Sequence, residues 1–381
     1  MGSQVKIPVI KPSLDNHEIE QVTKVINSGW VTQGPKVLEF EEMFAKFVGS
    51  KYAVAVSSCT TALHLSLLVN GVRSNDEVIL PSHTFIATAN AVAYCGATPV
   101  FVDIDPKTFN MDSDKIESAI TPKTKAIIIV HQMGLPADID RIMMIVKKYN
   151  LKVIEDAACA IGSEYKRRLV GSHSDTVCFS FHPRKVITTG DGGMISTNSE
   201  DIAVKLRLLR QHGMSVNDLA RHNSKQVIVE EYPIIGYNYR LTDLQAAIGI
   251  GQVKKLPEII RKRRELAENY NNAFSDGGFL IPPFIPEYAN PNYQSYCVYL
   301  NQEGNIKRDN LMQCLLEKGI ATRRGIMSVH REKPYRDISK HLDLKNSEYA
   351  SDNAIILPLY PQMTMEEQEF VIDNIKRVFR V

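Results

Sequence analysis

Two apolar runs end in residues whose types suggest chemistry. Thr176–Phe181 reads as a buried strand, and Pro183 marks its exit, because proline cannot continue a central ladder. Lys185 follows that break. Three glycines in Gly190-Asp-Gly-Gly193 then open backbone conformations closed to other residues, and Met194–Thr197 returns as a second short strand. Lys185 is thus held between two core strands, with hydroxyls at Ser180, Thr188 and Thr189 close by in sequence. Alone it would read as a solvated loop lysine. The second run, Leu151–Ala158, carries Glu155 and Asp156 at its carboxyl end, and ligands in open parallel sheets collect at the carboxyl ends of strands. A strand-end Asp about thirty residues before a strand-end Lys suits pyridoxal phosphate, whose ring needs a lysine for an imine and an acid beside its pyridinium nitrogen.

The elements that must position these groups alternate. Ala53–Val56 is a short strand leading into Ser57-Ser-Cys-Thr-Thr-Ala-Leu-His64, the start of a helix running to about Asn70. Hydroxyl residues at a helix start serve as ordinary caps or as a phosphate site, since the unpaired N–H groups and the helix dipole both favour an anion. A strand from Glu77 is followed by another helix start that holds Phe85, and Pro99–Ile104 and Ala126–His131 add two more apolar runs. Strand alternating with helix predicts a mainly parallel sheet with crossovers. Residues 13 to 28 read as a polar-faced helix capped by Ser13 or Asn16, and residues 200 to 212 read as helical. The amphipathic stretch Thr242–Phe274 contains Arg261-Lys-Arg-Arg264, read as a solvated helix face linking two domains. Beyond it, strands at Ser295–Leu300 and Ile320–Arg323 and helices at Arg308–Lys318 and Met365–Arg377 predict a smaller mixed α/β domain. The expected division is a large domain over residues 1–250 and a small one over 251–381.

At 381 residues the chain can bury a large core. With 44% apolar and 23% charged residues it is neither disordered nor low-complexity, and it shows no internal repeat. A net charge of +2 points to neither a nucleic-acid stripe nor a membrane surface, so an anionic ligand must be met locally. No apolar run approaches the roughly 20 residues that span a bilayer, and Met1-Gly-Ser-Gln-Val-Lys6 lacks a signal-peptide core. Six cysteines without paired spacing predict reduced thiols in a cytoplasmic protein, with no metal site and no disulfide framework.

The segments Asp156-Ala-Ala-Cys159, Ser180-Phe-His-Pro-Arg-Lys185 and Thr188-Thr-Gly-Asp-Gly-Gly193 resemble the DegT/DnrJ/EryC1/StrS family of aminotransferases, and the resemblance runs from about Pro8 to the C-terminus. It implies a fold-type-I, aspartate aminotransferase-like α/β architecture, with a large mainly parallel sheet and a smaller C-terminal α/β part. It implies pyridoxal 5'-phosphate on Lys185, with Asp156 at the pyridinium nitrogen and Phe85 stacked on the ring. Cys59, Thr60 and Ser180 fall at the phosphate. Where the family usually has Ser-Gly-Thr this chain has Ser58-Cys59-Thr60, which crowds the approach to the phosphate. Cys159 falls where the family commonly carries Gln or His near the cofactor's hydroxyl; a thiol is the weaker donor. Gly236-Tyr-Asn-Tyr-Arg-Leu-Thr242 resembles the family's Asn-Tyr-Arg-x-Thr motif, which implies that Asn238 reaches the phosphate in the other subunit of a homodimer with shared sites. Arg240 steers an anionic substrate or pairs with a carboxylate, and His330 is a substrate contact or a loop histidine. Trp30 lies near the substrate entrance or plugs the core.

The implied reaction moves an amino group, from L-glutamate, to a 4-keto or 3-keto group of a nucleotide-linked deoxy sugar by a ping-pong mechanism. The alternatives are a smaller phosphorylated ketone as acceptor, or a non-catalytic protein that keeps the fold for binding or regulation. Dehydratase relatives carry His in place of the lysine, so Lys185 argues against that chemistry.

Overall fold

A computed structural model of the chain describes residues 6–216, 218–275, 278, 280–301 and 306–379. Residues 1–5, part of the segment read above as lacking a signal-peptide core, lie outside the described residues.

Seven strands form one sheet in the order β1-β9-β8-β5-β4-β2-β3. They are β1 (Tyr52–Val56), β2 (Glu77–Pro81), β3 (Thr98–Val102), β4 (Thr124–Val130), β5 (Lys152–Asp156), β8 (Thr176–Ser180) and β9 (Gly193–Thr197), while β6 (Glu164–Tyr165) and β7 (Arg168–Leu169) form a small hairpin with β11 (Ala289–Asn290). The pairs β2–β3, β2–β4, β4–β5 and β5–β8 are parallel, whereas β9 runs against both β8 and β1. The mainly parallel sheet expected from strand–helix alternation is therefore present, with β9 as its reversed member.

Both faces are covered, as parallel strands require. Val54 and Val56 pack with Leu63, Leu65 and Leu67 of α3 (Cys59–Val69), with Ala89 of α4 (Ala87–Tyr94) and with Leu206 of α6 (Glu200–Arg210). Ala53 and Ala55 point the other way, to Phe40 and Phe44 of α2 (Pro35–Val48) and Leu256 of α8 (Asp243–Ala273). On that side α5 (Ile139–Tyr149) covers β4 with Ile142 and Val146. No side chain of its own caps α2; the Asp243 carboxylate accepts from the N–H groups of Gly34, Lys36 and Val37 at 2.8, 3.0 and 3.0 Å. The first helix, α1 (Asn16–Ser28), is capped by Asp15 in a reciprocal box with Glu18, not by Ser13 or Asn16.

A second, antiparallel sheet has the order β10-β12-β14-β13, from β10 (Leu280–Ile281), β12 (Tyr296–Leu300), β13 (Arg323–Arg324) and β14 (Ala354–Leu357). The strand expected at Ile320–Arg323 shrinks to β13, because Ile320 makes an isolated bridge to Ile7 instead. Leu266 and Tyr270 of α8 join Tyr296, Val298 and Leu311 of α9 (Arg308–Glu317) and Val371 of α11 (Met365–Phe379) in this core, so one helix serves both sheets. The Arg261–Arg264 run is not the solvated face expected. Arg261 is exposed and paired with Glu258 and Glu265, but Arg263 is 1% exposed and donates to the carbonyls of Tyr293, Gln294 and Leu359 at 3.1, 3.2 and 3.3 Å. Burial pulls its guanidinium down to about 10. No helix among the described residues is long and apolar enough to cross a membrane.

Candidate active site

Strand register brings the chemical groups to one edge. Val130 of β4 lies opposite Asp156 of β5, Asp156 opposite Cys178 of β8, Ser180 of β8 opposite Gly193 of β9, and Gly193 opposite Val56 of β1. The strands that run in one direction therefore end together, and the loops carrying Cys59–Thr60, Cys159 and Lys185 leave from that edge. A Cβ on Gly193 would stand 2.4 Å from the carbonyl oxygen of Ser58 and 2.7 Å from the nitrogen of Cys59, so only glycine lets β9 lie against the start of α3. Ser58 caps α3 by accepting from Thr61 N–H at 3.2 Å. The N–H groups of Cys59 and Thr60 have no acceptor among the described residues, and these are the donors a helix start offers an anion.

The lysine loop is stapled to its strand. Phe181 N–H donates to Gly192 O at 2.9 Å, the Thr188 hydroxyl donates to Phe181 O at 2.8 Å, and Lys185 N–H closes a turn onto His182 O at 2.8 Å. The half-buried Lys185 side chain then reaches back, and its Nζ donates to Cys159 Sγ at 3.2 Å. Burial pulls this amine down, but the hydrogen bond to Cys159 and the nearby Asp156 carboxylate outweigh it and leave it raised above the ordinary lysine value. Burial in turn pushes the Cys59 thiol well above its ordinary value, so it is a neutral lining group and not a thiolate nucleophile.

Glu155 and Asp156 are adjacent on β5 and face opposite sides, as strand alternation requires. Asp156 faces the lysine; Thr88 Oγ1 of α4 donates to its Oδ2 at 2.8 Å and Ala158 N–H to its Oδ1 at 3.1 Å. Thr88 was not singled out in the sequence, although it lies one helical turn after Phe85. Glu155 is fully buried and meets His131 Nε2 at 2.8 Å; Ala137 N–H occupies His131 Nδ1 at 3.1 Å, so the neutral ring carries its proton on Nε2. Burial pushes the Glu155 carboxyl up, yet the hydrogen bond from His131 outweighs it and holds it below the ordinary value.

The remaining residues fall in different places. Phe85 lies one turn before Thr88 with 59% of its surface open. Ser180 is buried at the end of β8. Tyr237 and Tyr239 stack at 4.9 Å and pack edge-on against His64 of α3, while Tyr239 O accepts Ser57 N–H at 2.9 Å. Asn238 sits between them, paired with Gln211 in an isolated antiparallel bridge, and its side chain is exposed, away from the face the two tyrosines share. Arg240 is half-buried with no hydrogen-bond or ion-pair partner among the described residues. His330 is buried, with Nδ1 at 2.6 Å from Ser82 Oγ and Nε2 at 3.0 Å from Glu348 Oε1, so neither ring nitrogen is open to a ligand. Trp30 Nε1 donates to Gln33 O at 3.2 Å, and the ring meets His222 edge-on at 5.0 Å. All six cysteines are free.

An amine, a carboxylate held by two donors, a helix start with unpaired N–H groups and an open aromatic face make a donor set that fits a cationic heterocycle carrying a phosphate arm. The comparisons with known proteins agree. Residues 12–376 match the profile of the DegT/DnrJ/EryC1/StrS aminotransferase family. The chain is 38% identical over 378 residues to the spore coat polysaccharide biosynthesis protein SpsC of Bacillus subtilis, covering 98% of this chain and 97% of SpsC. It is 41% identical, with the same coverages, to the Methanocaldococcus jannaschii protein MJ1066. Among solved structures it resembles Helicobacter pylori PseC, an aminotransferase of pseudoaminic acid biosynthesis, with a TM-score of 0.91 and 30% identity over 98% of this chain and 99% of PseC. The chain belongs to the DegT/DnrJ/EryC1/StrS family and is a pyridoxal phosphate-dependent aminotransferase of fold type I.

Proposed function

We propose that this aminotransferase takes an amino group from L-glutamate and places it on the keto carbon of a nucleotide-linked deoxy sugar. The observation that carries the reading is the meeting of Lys185 and Asp156 at the strand-end edge, with the lysine amine held against Cys159. The names of SpsC and PseC support a sugar as acceptor.

In this reading pyridoxal phosphate supplies the electron sink that lets a proton leave the donor's α-carbon. Lys185 Nζ would hold the cofactor and, when free, would be the base that takes the proton from the donor's α-carbon and then gives it back as an acid. Asp156, oriented by Thr88 and Ala158 N–H, would keep the pyridine nitrogen protonated. Thr60, Cys59 N–H and Ser180 would hold the phosphate, Phe85 would cover one ring face, and Cys159 would meet the ring hydroxyl. Arg240 has no acid partner among the described residues, which supports a role in meeting the substrate's charge.

The active unit in this reading is a homodimer. Asn238 turns away from its own α3 and lies exposed, which suits a side chain that completes the partner's phosphate site. Mixing inactive Lys185→Ala and Asn238→Asp proteins should restore activity, since one mixed site is intact; proven subunit exchange without recovery would rule out sharing. Following donor-dependent loss of the cofactor's absorbance, then amination of a panel of 4-keto and 3-keto nucleotide sugars, tests the substrate. A chain that reacts with glutamate but aminates only small phosphorylated ketones would replace the sugar reading.

A further inference from the structure

The two loops that carry the chemistry are gripped from outside the large sheet by one short turn. Asn292 is fully buried, and its Nδ2 donates to the carbonyls of Cys159 and Ile161, both at 2.8 Å. Its Oδ1 accepts Gln294 N–H at 2.8 Å, and its own N–H donates to Ser163 Oγ at 3.0 Å. Gln294, also buried, donates from Nε2 to the carbonyl of Arg184 at 2.7 Å, the peptide that leads directly into Lys185.

The turn itself is held in an unfavoured shape. Tyr293, between the two amides, has φ 49°, and Met133, whose carbonyl meets Ser295 N–H at 3.5 Å, has φ 56°. Neither is glycine, so both conformations persist only because their surroundings impose them. Gly134 must lack a side chain, since it sits at φ 94° and a Cβ there would stand 2.0 Å from Asn292 Oδ1. On the far side, Arg263 draws in the carbonyls of Tyr293 and Gln294 and Arg264 that of Pro291 at 3.0 Å, so α8 braces the turn.

We infer that Asn292 and Gln294 are positioning residues for the reaction: together they set the separation of Cys159 and Lys185, so that the lysine amine rests against the thiol when it is free. Asn292 fixes the carbonyls of Cys159 and Ile161 in one loop, and Gln294 fixes that of Arg184 in the other, so the turn that carries both amides ties the two loops together. A small displacement of Lys185 Nζ would be felt in the proton transfer, since misplacing a reacting group by about 1 Å costs on the order of 10²-fold. Substrate binding would be spared, because neither amide faces the open edge.

The inference rests on Lys185 being the cofactor lysine, and the test separates the two. Gln294→Leu keeps size and removes the donor; Gln294→His restores an N–H of similar reach; Asn292→Ser is the second variant. In each apoprotein, the rate of reductive methylation of Lys185 is followed against pH by peptide mass spectrometry, with an exposed lysine as internal reference. In the holoenzyme, the glutamate half-reaction is followed by stopped-flow. The expected result is that Gln294→Leu shifts the Lys185 methylation profile toward that of the reference. It also slows the half-reaction about 10-fold or more, with the apparent glutamate affinity changed less than about 2-fold, and Gln294→His recovers most of both. An unchanged methylation profile together with a normal half-reaction in both Gln294→Leu and Asn292→Ser overturns the positioning role. A loss confined to melting temperature, with the profile of folded protein unchanged, overturns it equally. Borohydride labelling of a lysine other than Lys185 in the wild-type holoenzyme would instead refute the underlying reading.

Discussion

The two sheets of this protein serve the site in opposite ways. In the seven-stranded sheet, six strands run one way, so β1, β2, β4, β5 and β8 deliver their ends, and the loops that follow, to a single edge. A Lys, an Asp and a helix start from distant parts of the chain meet there without any special device. In the four-stranded sheet every pairing is antiparallel, so successive strands end at opposite edges and nothing is pooled. What that region offers is support: the turn entering β12, braced by the buried arginine of α8, reaches across to hold the loops of the first sheet. Chemistry collects where strands agree in direction, and its geometry is fixed from where they do not.

Breaking the first region should have the largest effect. Asp156→Asn removes the charge while keeping the shape, and turnover is expected to fall at least about 10²-fold, the order of electrostatic and acid–base effects at such sites. Steady-state kinetics on saturated holoenzyme measures it, and near-normal turnover would mean another group holds the pyridine nitrogen.

Breaking the second region should show first in stability. Arg263→Met relieves a buried charge but leaves three carbonyls without a donor, each costing about 1–3 kcal/mol. Loss of the donors wins, and denaturant unfolding should show a net loss of about 2 kcal/mol. An unchanged midpoint would mean those carbonyls find other partners.

The smallest effect sharpens the contrast between the neighbours on β5. Glu155 has its carboxyl held below the ordinary value in the folded protein. Its contribution to stability is therefore present above the ordinary carboxylate range and lost as pH falls through the folded value. Glu155→Gln should flatten the acid side of the stability–pH curve and leave the glutamate half-reaction nearly intact. An acid limb as steep as the wild type's would place the pH dependence elsewhere.

These contrasts follow how far each residue can be read from its neighbours in sequence. Lys185 and Asp156 stand out because a buried strand, a Pro break and a glycine loop are local signals. The large sheet was legible for the same reason, strand by strand. Arg263 was misread as solvated because its acceptors lie 30, 31 and 96 residues away, and a charged run on an amphipathic helix carries no mark of carbonyls that fold back onto it. Asn292 and Gln294 grip carbonyls 133 and 110 residues away and are equally silent. Helix α2 escaped notice although Phe40 and Phe44 lie four apart, since its cap comes from Asp243, 209 residues beyond Gly34. His330 reads from sequence as either a substrate contact or a loop histidine, and only the fold could bring Ser82 and Glu348 to its two nitrogens.

The central claim is that Lys185 is the amine through which this protein holds its cofactor and moves the proton. Borohydride reduction of the purified holoenzyme, followed by proteolysis and mass mapping, tests it most directly. The account predicts a single reduced adduct on the peptide carrying His182-Pro-Arg-Lys185, absent when glutamate has first converted the cofactor to its amine form. An adduct on any other lysine, or none at Lys185 in protein that carries the cofactor, would contradict it.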